Sequence, residues 1–133
     1  MLLIEHYVAP SSIHGLGVYA ATFVPKGTKI WEFNPLIDIH IPRAKLRELP
    51  PHVRRLIMTK SNFVEDQDTY VCGLDGDQFM NHSDDPNIRR IGVEWVTCRD
   101  IVIGDEITCD YRETTIPTFN PETGLPFNGH FDG

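Results

Sequence analysis

The feature that most constrains this chain is its punctuation: ten glycines and ten prolines are spread over 133 residues and cut them into short pieces. Proline fixes φ and removes a backbone donor, and glycine weakens the interior of a helix or strand, so long regular elements do not fit. Seven pieces read as strands: Leu2–Val8, Val18–Phe23, Thr28–Phe33, Leu36–Ile41, Thr69–Leu74, Gly92–Cys98 and Glu106–Tyr111. They are rich in β-branched and aromatic residues and bounded by Gly, Pro, Asp or Asn. One segment reads as helical, with Pro42 in a first turn and Leu46 and Leu49 three apart. Pro50-Pro51 interrupts it, and Val53, Leu56 and Ile57 resume the helical spacing, which predicts two short helical turns rather than one long helix. The expected fold is mostly β: short strands in several small sheets with one short helical insert.

A chain of this length fits one domain and can bury a real core without staples. No apolar run approaches the ~20 residues that span a bilayer. Met1–Pro10 carries Glu5 and His6 and has no basic leader, so an intracellular, cytoplasmic protein without a membrane anchor is expected. Cys72, Cys98 and Cys109 form no Cys-x-x-Cys pair and leave an odd count, against both a disulfide framework and a structural zinc cluster. The net charge is −7, from 19 acidic and 12 basic residues. Direct nucleic-acid binding needs a broad basic face, which this balance opposes; a basic peptide suits it better.

Three motifs stand out. The first is Ile13-His14-Gly15-Leu16-Gly17-Val18-Tyr19-Ala20, where two glycines let the backbone bend and approach a ligand. It lacks the third glycine of a dinucleotide fingerprint and the Gly-Lys-Ser/Thr of a phosphate loop, and alone it reads as a tight turn. The second is Phe79-Met80-Asn81-His82-Ser83-Asp84-Asp85-Pro86-Asn87, alone a polar turn closed by Asp-Pro-Asn. Adjacent His82 and Ser83 do not meet the geometry of a hydrolytic triad, and no Gly-x-Ser-x-Gly is present. Nor do His14, His40, His52 and His82 show metal-ligand spacing, so no metal is expected. The third is Gly104-Asp105-Glu106-Ile107-Thr108-Cys109-Asp110-Tyr111, a turn leading into a short strand.

In this order and spacing, from Ile13 to Tyr111, the three motifs resemble those of the SET-domain protein lysine methyltransferases. The resemblance implies a SET-like β-clip fold with a knot-like crossing of the C-terminal strand near the Asn-His motif. It implies one domain over 1–133, with a core at 1–113 and an aromatic segment at 114–133 that closes the site. It implies S-adenosylmethionine-dependent methyl transfer to a lysine amine of a protein or peptide. His14, Gly15, Leu16 and Gly17 are then expected along the cofactor by their backbone, Asn81 by its side chain and His82 by its main chain. Tyr111 is expected as the catalytic residue, touching both cofactor and lysine. Phe33, Phe79, Met80 and Arg90 are implied as the lysine channel, with Phe33 where many members carry a tyrosine, leaving room for higher methylation states. Many members carry cysteine-rich zinc clusters around the domain; in their place this sequence has Phe119, Phe127 and Phe131. Phe127 is expected on the cofactor, and a homodimer is one way to complete the peptide groove. The alternative is a SET-like interaction module that no longer methylates, and Asn81, His82 and Tyr111 favour the enzyme.

The chemistry fits so modest a residue set. The leaving group of a sulfonium is a neutral thioether, and the attacking amine must be deprotonated, although free lysine titrates near ~10.4. A nearby sulfonium charge and a dry channel both lower that value. The site then mainly has to align nitrogen, methyl and sulfur, a task worth up to ~7–11 kcal/mol.

Overall fold

The computed structural model describes residues 1–64, 67–92 and 94–113. Punctuation and strand length agree: among the described residues, ten short strands form three small sheets. The first sheet joins β1 (His6–Pro10), β2 (Leu16–Ala20), β10 (Glu106–Cys109) and β7 (Asn81–His82), in that order. The second joins β3 (Lys29–Trp31), β9 (Glu94–Thr97) and β8 (Ile88–Ile91). The third joins β4 (Asp38–Pro42), β6 (Thr69–Gly73) and β5 (Asn62–Val64).

The helical insert is two pieces, as Pro50-Pro51 demands: a 3-10 helix, Arg43–Glu48, and α1, Pro51–Lys60. Pro51 sits in the first turn of α1, where its missing N–H costs nothing. Leu46, Ile57 and Met58 of the insert pack on Tyr70 of β6 as a small second core. The main core takes Val18 and Ile107 from the first sheet and Ile30 and Ile88 from the second, with Leu2, Val24 and Ile101 between. Each such side chain, fully buried, contributes roughly 1.5–3 kcal/mol.

Three strands escape the sequence pattern. Asn81-His82, read as turn, is a two-residue strand running parallel to β10, with Thr108 opposite Asn81 and Cys109 opposite His82. The polar turn follows it, where Ser83 Oγ accepts from the Asp85 N–H at 3.0 Å. Ile88–Ile91 hides its strand character behind Arg89 and Arg90, both exposed. Asn62–Val64 is too short for a period to register. The first predicted strand is also displaced: Leu2 makes only an isolated bridge to Trp31, and pairing with β2 begins at His6.

The β7–β10 pairing brings the Asn-His and Asp-Tyr motifs side by side. The rest of the expected crossing, and the expected closure by Phe119, Phe127 and Phe131, fall on 114–133, outside the described residues. No helix among the described residues is long and apolar enough to cross a membrane.

Candidate active site

Two adjoining features make the site: a polar corner around the Gly-x-Gly loop, and a cleft. In the corner, the β1–β2 hairpin closes with the Ser11 N–H donating to the Gly15 carbonyl at 2.8 Å. Gly15 holds φ +46, a left-handed conformation that glycine adopts without strain. A Cβ added there meets no atom within 4 Å, so the backbone faces open space. Gly17 is constrained oppositely: a Cβ there would overlap the Glu106 carboxylate.

Glu106 is the hub of this corner. Ser11 Oγ lies 2.8 and 2.9 Å from its two carboxylate oxygens, and Asn81 Nδ2 donates to Oε2 at 2.9 Å. The same Asn81 nitrogen lies 3.1 Å from the carbonyls of both His14 and Leu16. Buried Asn87 secures the strand beneath, donating to the Glu106 carbonyl at 2.8 Å and accepting from the Thr108 N–H at 2.9 Å. Thus β2, β7 and β10 are stitched by side chains as well as by their ladders, and His14, Gly15, Leu16, Gly17 and Asn81 lie together.

Tyr111 joins the corner to the cleft. Its N–H donates to His82 Nδ1 at 3.1 Å, and its hydroxyl donates to the Met80 carbonyl at 2.6 Å. Because Nδ1 accepts, Nε2 carries the proton that His82 offers to Asp84 Oδ1 at 2.8 Å. Both ring nitrogens are therefore committed, and His82 is not poised as a general base. Burial, with Cys109 and Glu106 adding, pushes the Tyr111 phenol well above its ordinary range, so it stays protonated. Beyond it, Asp110 is held down at about 2 by Arg112, whose Nη2 lies 2.8 Å from Oδ2.

The cleft encloses about 620 Å³, its open mouth included. Tyr111 and Met80 line it together with Trp31 and Trp95, which face each other across the β3–β9 ladder. Asp77 lines it too, its Oδ2 accepting from Trp31 Nε1 at 2.8 Å. Burial first, then neighbouring Asp75, pushes the Asp77 carboxyl up to about 7. Cys109, also on the wall, is a buried thiol pushed up to about 12 and behaves as a small hydrophobe.

Of the residues expected in the channel, Met80 and Tyr111 face this cleft; Phe33, Phe79 and Arg90 are not among its described lining. Phe33 is exposed and packs on His40, ring centroids 4.4 Å apart. Phe79 lies under Lys60, whose Nζ is 6.0 Å from the ring centroid. Arg90 is exposed and donates through Nε to the Gly92 carbonyl at 2.8 Å. Phe127 lies outside the described residues. Sequence reading did not single out Glu106, Asp77 or the two tryptophans. Glu106 had a signal, a carboxylate inside the third motif, whereas the others meet only through tertiary pairing.

The SET-domain family model matches residues 15–112, a span that begins inside the first motif and takes in the other two whole. The chain belongs to the SET-domain family. Among solved structures, this SET domain is similar to a Plasmodium falciparum protein assigned as a histone methyltransferase, at 24% identity and TM-score 0.54, over 83% of this chain and 95% of that one. It is also similar to a chain of the Chaetomium thermophilum Polycomb Repressive Complex 2, solved as a humanized mutant with an inhibitor bound. That match has 17% identity and TM-score 0.61, over 96% of this chain and 19% of that one. At these identities the likeness concerns the fold. No curated protein matches this SET domain.

Proposed function

We propose that this SET domain transfers a methyl group from S-adenosylmethionine to the amine of a lysine side chain in a protein or peptide. The observation that carries this reading is Tyr111, whose N–H donates to His82, the neighbour of Asn81 in the corner, and whose side chain lines the cleft. A donor held at the corner and an amine entering the cleft meet at that residue.

The corner fits the cofactor. The backbone at Gly15 borders open space that any side chain there would fill, and Leu16 is 45% exposed beside it. His14, Gly15, Leu16, Gly17, Asn81, His82 and Tyr111 are the residues that would hold it. When bound, S-adenosylmethionine supplies a methyl group on a cationic sulfur that leaves as a neutral thioether. The chain's own residues do the rest by position. Asn81 fixes the two loop carbonyls, Glu106 fixes Asn81, and Met80 fixes the Tyr111 hydroxyl. With its proton committed to Met80, that hydroxyl can only accept from a group that approaches it, an orienting rather than a proton-removing role. The cleft's aromatic walls suit an aliphatic stem ending in a cation.

The acidic balance of the chain supports a basic substrate, and three cysteines without a disulfide among the described residues support an intracellular setting. Residues 114–133 are proposed to close the site, with or without a second copy of the chain.

The test is calorimetric titration of S-adenosylmethionine into the wild-type protein and Asn81→Ala. Saturable binding at about one site per chain, weakened by about 1 kcal/mol or more in the variant, is expected. An absence of binding at millimolar cofactor would leave the interaction-module reading instead.

A further inference from the structure

Among the described residues that line the cleft, Asp77 carries the one carboxyl group. We propose that Asp77 receives the primary ammonium of the substrate in this cleft and takes the proton that the amine must shed before it attacks. This rests on the methyltransferase reading and adds to it a proton acceptor that the three motifs do not contain.

The geometry selects Asp77 by elimination as well as by position. Tyr111 stays protonated with its hydroxyl turned to Met80, and His82 has both ring nitrogens engaged. Asp77 sits on the 3-10 turn Gly76–Phe79, immediately before the Asn-His motif, and its carbonyl accepts from the Met80 N–H at 3.1 Å. One turn of chain thus sets both Asp77 and the Met80 carbonyl that holds Tyr111. The Trp31 Nε1 bond fixes the orientation of the carboxyl group, and its side chain remains 15% exposed at the cleft. Trp31 and Trp95 add ring faces that attract a cation.

The proton accounting is closed. One N–H bond of the ammonium breaks, its electron pair stays on nitrogen, and an O–H bond forms on Asp77. An ammonium and a carboxylate become an amine and a carboxylic acid, and burial favours that neutral pair. The raised carboxyl value of about 7 accords with such a role. Other charged groups face Asp77 from each packed element. Asp75 precedes it, and Asp38 of β4 approaches the same face of Gly73, where an added Cβ would lie 2.6 Å from Asp77 Oδ1 and 2.9 Å from Asp38 Oδ1. The Met1 nitrogen is 3.8 Å from Oδ2, and Lys60 of α1 shares the cleft.

Because the chain's two tryptophans both line the cleft, intrinsic fluorescence reads its occupancy directly. The experiment titrates n-butylammonium, n-butyltrimethylammonium and n-butanol into wild type, Asp77→Asn and Trp31→Phe, across pH. Wild type is expected to bind the primary ammonium roughly tenfold tighter than either other probe, since only it donates N–H to a carboxylate. That affinity should rise with pH through about 7 as Asp77 ionises, and Asp77→Asn should abolish the preference. Trp31→Phe removes the donor that holds the Asp77 value down, so its pH midpoint should move up, with Trp95 as reporter. Equal binding of the quaternary ion, a preference that survives in Asp77→Asn, or an unmoved midpoint in Trp31→Phe would each overturn the proposal. Cofactor titration into wild type keeps the two readings apart. Its failure defeats methyl transfer, whereas cofactor binding without ammonium preference defeats the role of Asp77 alone.

Discussion

The two halves of the site handle polarity in opposite ways. In the corner, polar groups are spent on one another: Glu106, Ser11, Asn81 and the loop carbonyls form a closed set. In the cleft, one carboxyl group stands among tryptophan, methionine and tyrosine, raised by burial and by Asp75 further than Trp31 and the chain's amino terminus lower it. The difference teaches that the corner is built to keep a backbone shape, whereas the cleft keeps one carboxyl group in apolar surroundings with Trp31 as its hydrogen-bond donor. Satisfied networks rigidify, whereas a poorly solvated acid lowers stability in exchange for reactivity.

Tyr111 joins the two halves through His82, and its substitution has the largest expected effect. Tyr111→Phe should lower methyl transfer to cell-lysate proteins, followed with labelled S-adenosylmethionine, by about a hundredfold through lost positioning. The same change should cost only about 0.5–1.5 kcal/mol in denaturant unfolding, the worth of one hydrogen bond to Met80. A stability loss large enough to explain the rate loss would erase the distinction between the halves.

The cleft should also respond to pH. The folded value of Asp77, about 7, lies above the ordinary ~3.9 of an unfolded aspartate, so the folded state holds its proton longer. Stability should therefore fall as pH rises from about 4 to about 7, and Asp77→Asn should remove that slope. Denaturant unfolding at pH 8 should find the variant more stable than wild type by on the order of 1–3 kcal/mol. A less stable variant at that pH would mean that Asp77 serves structure first.

Next come the two glycines of the loop. Gly17→Ala should cost about 1–3 kcal/mol by driving a methyl group into Glu106, while Gly15→Ala, with open space but φ +46, should cost about 1 kcal/mol. Equal costs in thermal unfolding would show that Glu106 does not grip the loop. Smallest is Arg112→Ala. Asp110, held at about 2, contributes stability that is complete above the unfolded ~3.9 and is lost as pH falls towards 2. Without Arg112, that acid loss should begin at higher pH, a small shift for so exposed a partner.

Much of this molecule was legible in its sequence where the signal is local. Glycine and proline set the element lengths, Pro50-Pro51 divided the insert, and three motifs in order identified the family. Strand β7 was illegible because two residues have no period, and its pairing with β10 is a tertiary fact. Phe33 was expected on the channel because many family members carry a tyrosine there, yet Trp31, two residues earlier, lines the cleft. Trp31 is the last residue of β3 and Phe33 lies past its end, where strand alternation no longer sets the direction of a side chain. Asp77 carried no motif at all; its character comes from Trp31, Asp75 and burial, which meet only in the folded chain.

The placement of β10 has a kinetic consequence. It pairs with β2, where Tyr19 and Glu106 stand 87 positions apart, and with β7, beside which the bonded Met80 and Tyr111 stand 31 apart. Loops that long must close before either half of the site exists, and non-local closure is the slow part of folding. A partly folded chain with β10 undocked therefore has no corner, no cleft floor and no Tyr111 between them. Ligands select the finished molecule alone, so cofactor should raise the melting temperature in proportion to the logarithm of its concentration over its dissociation constant.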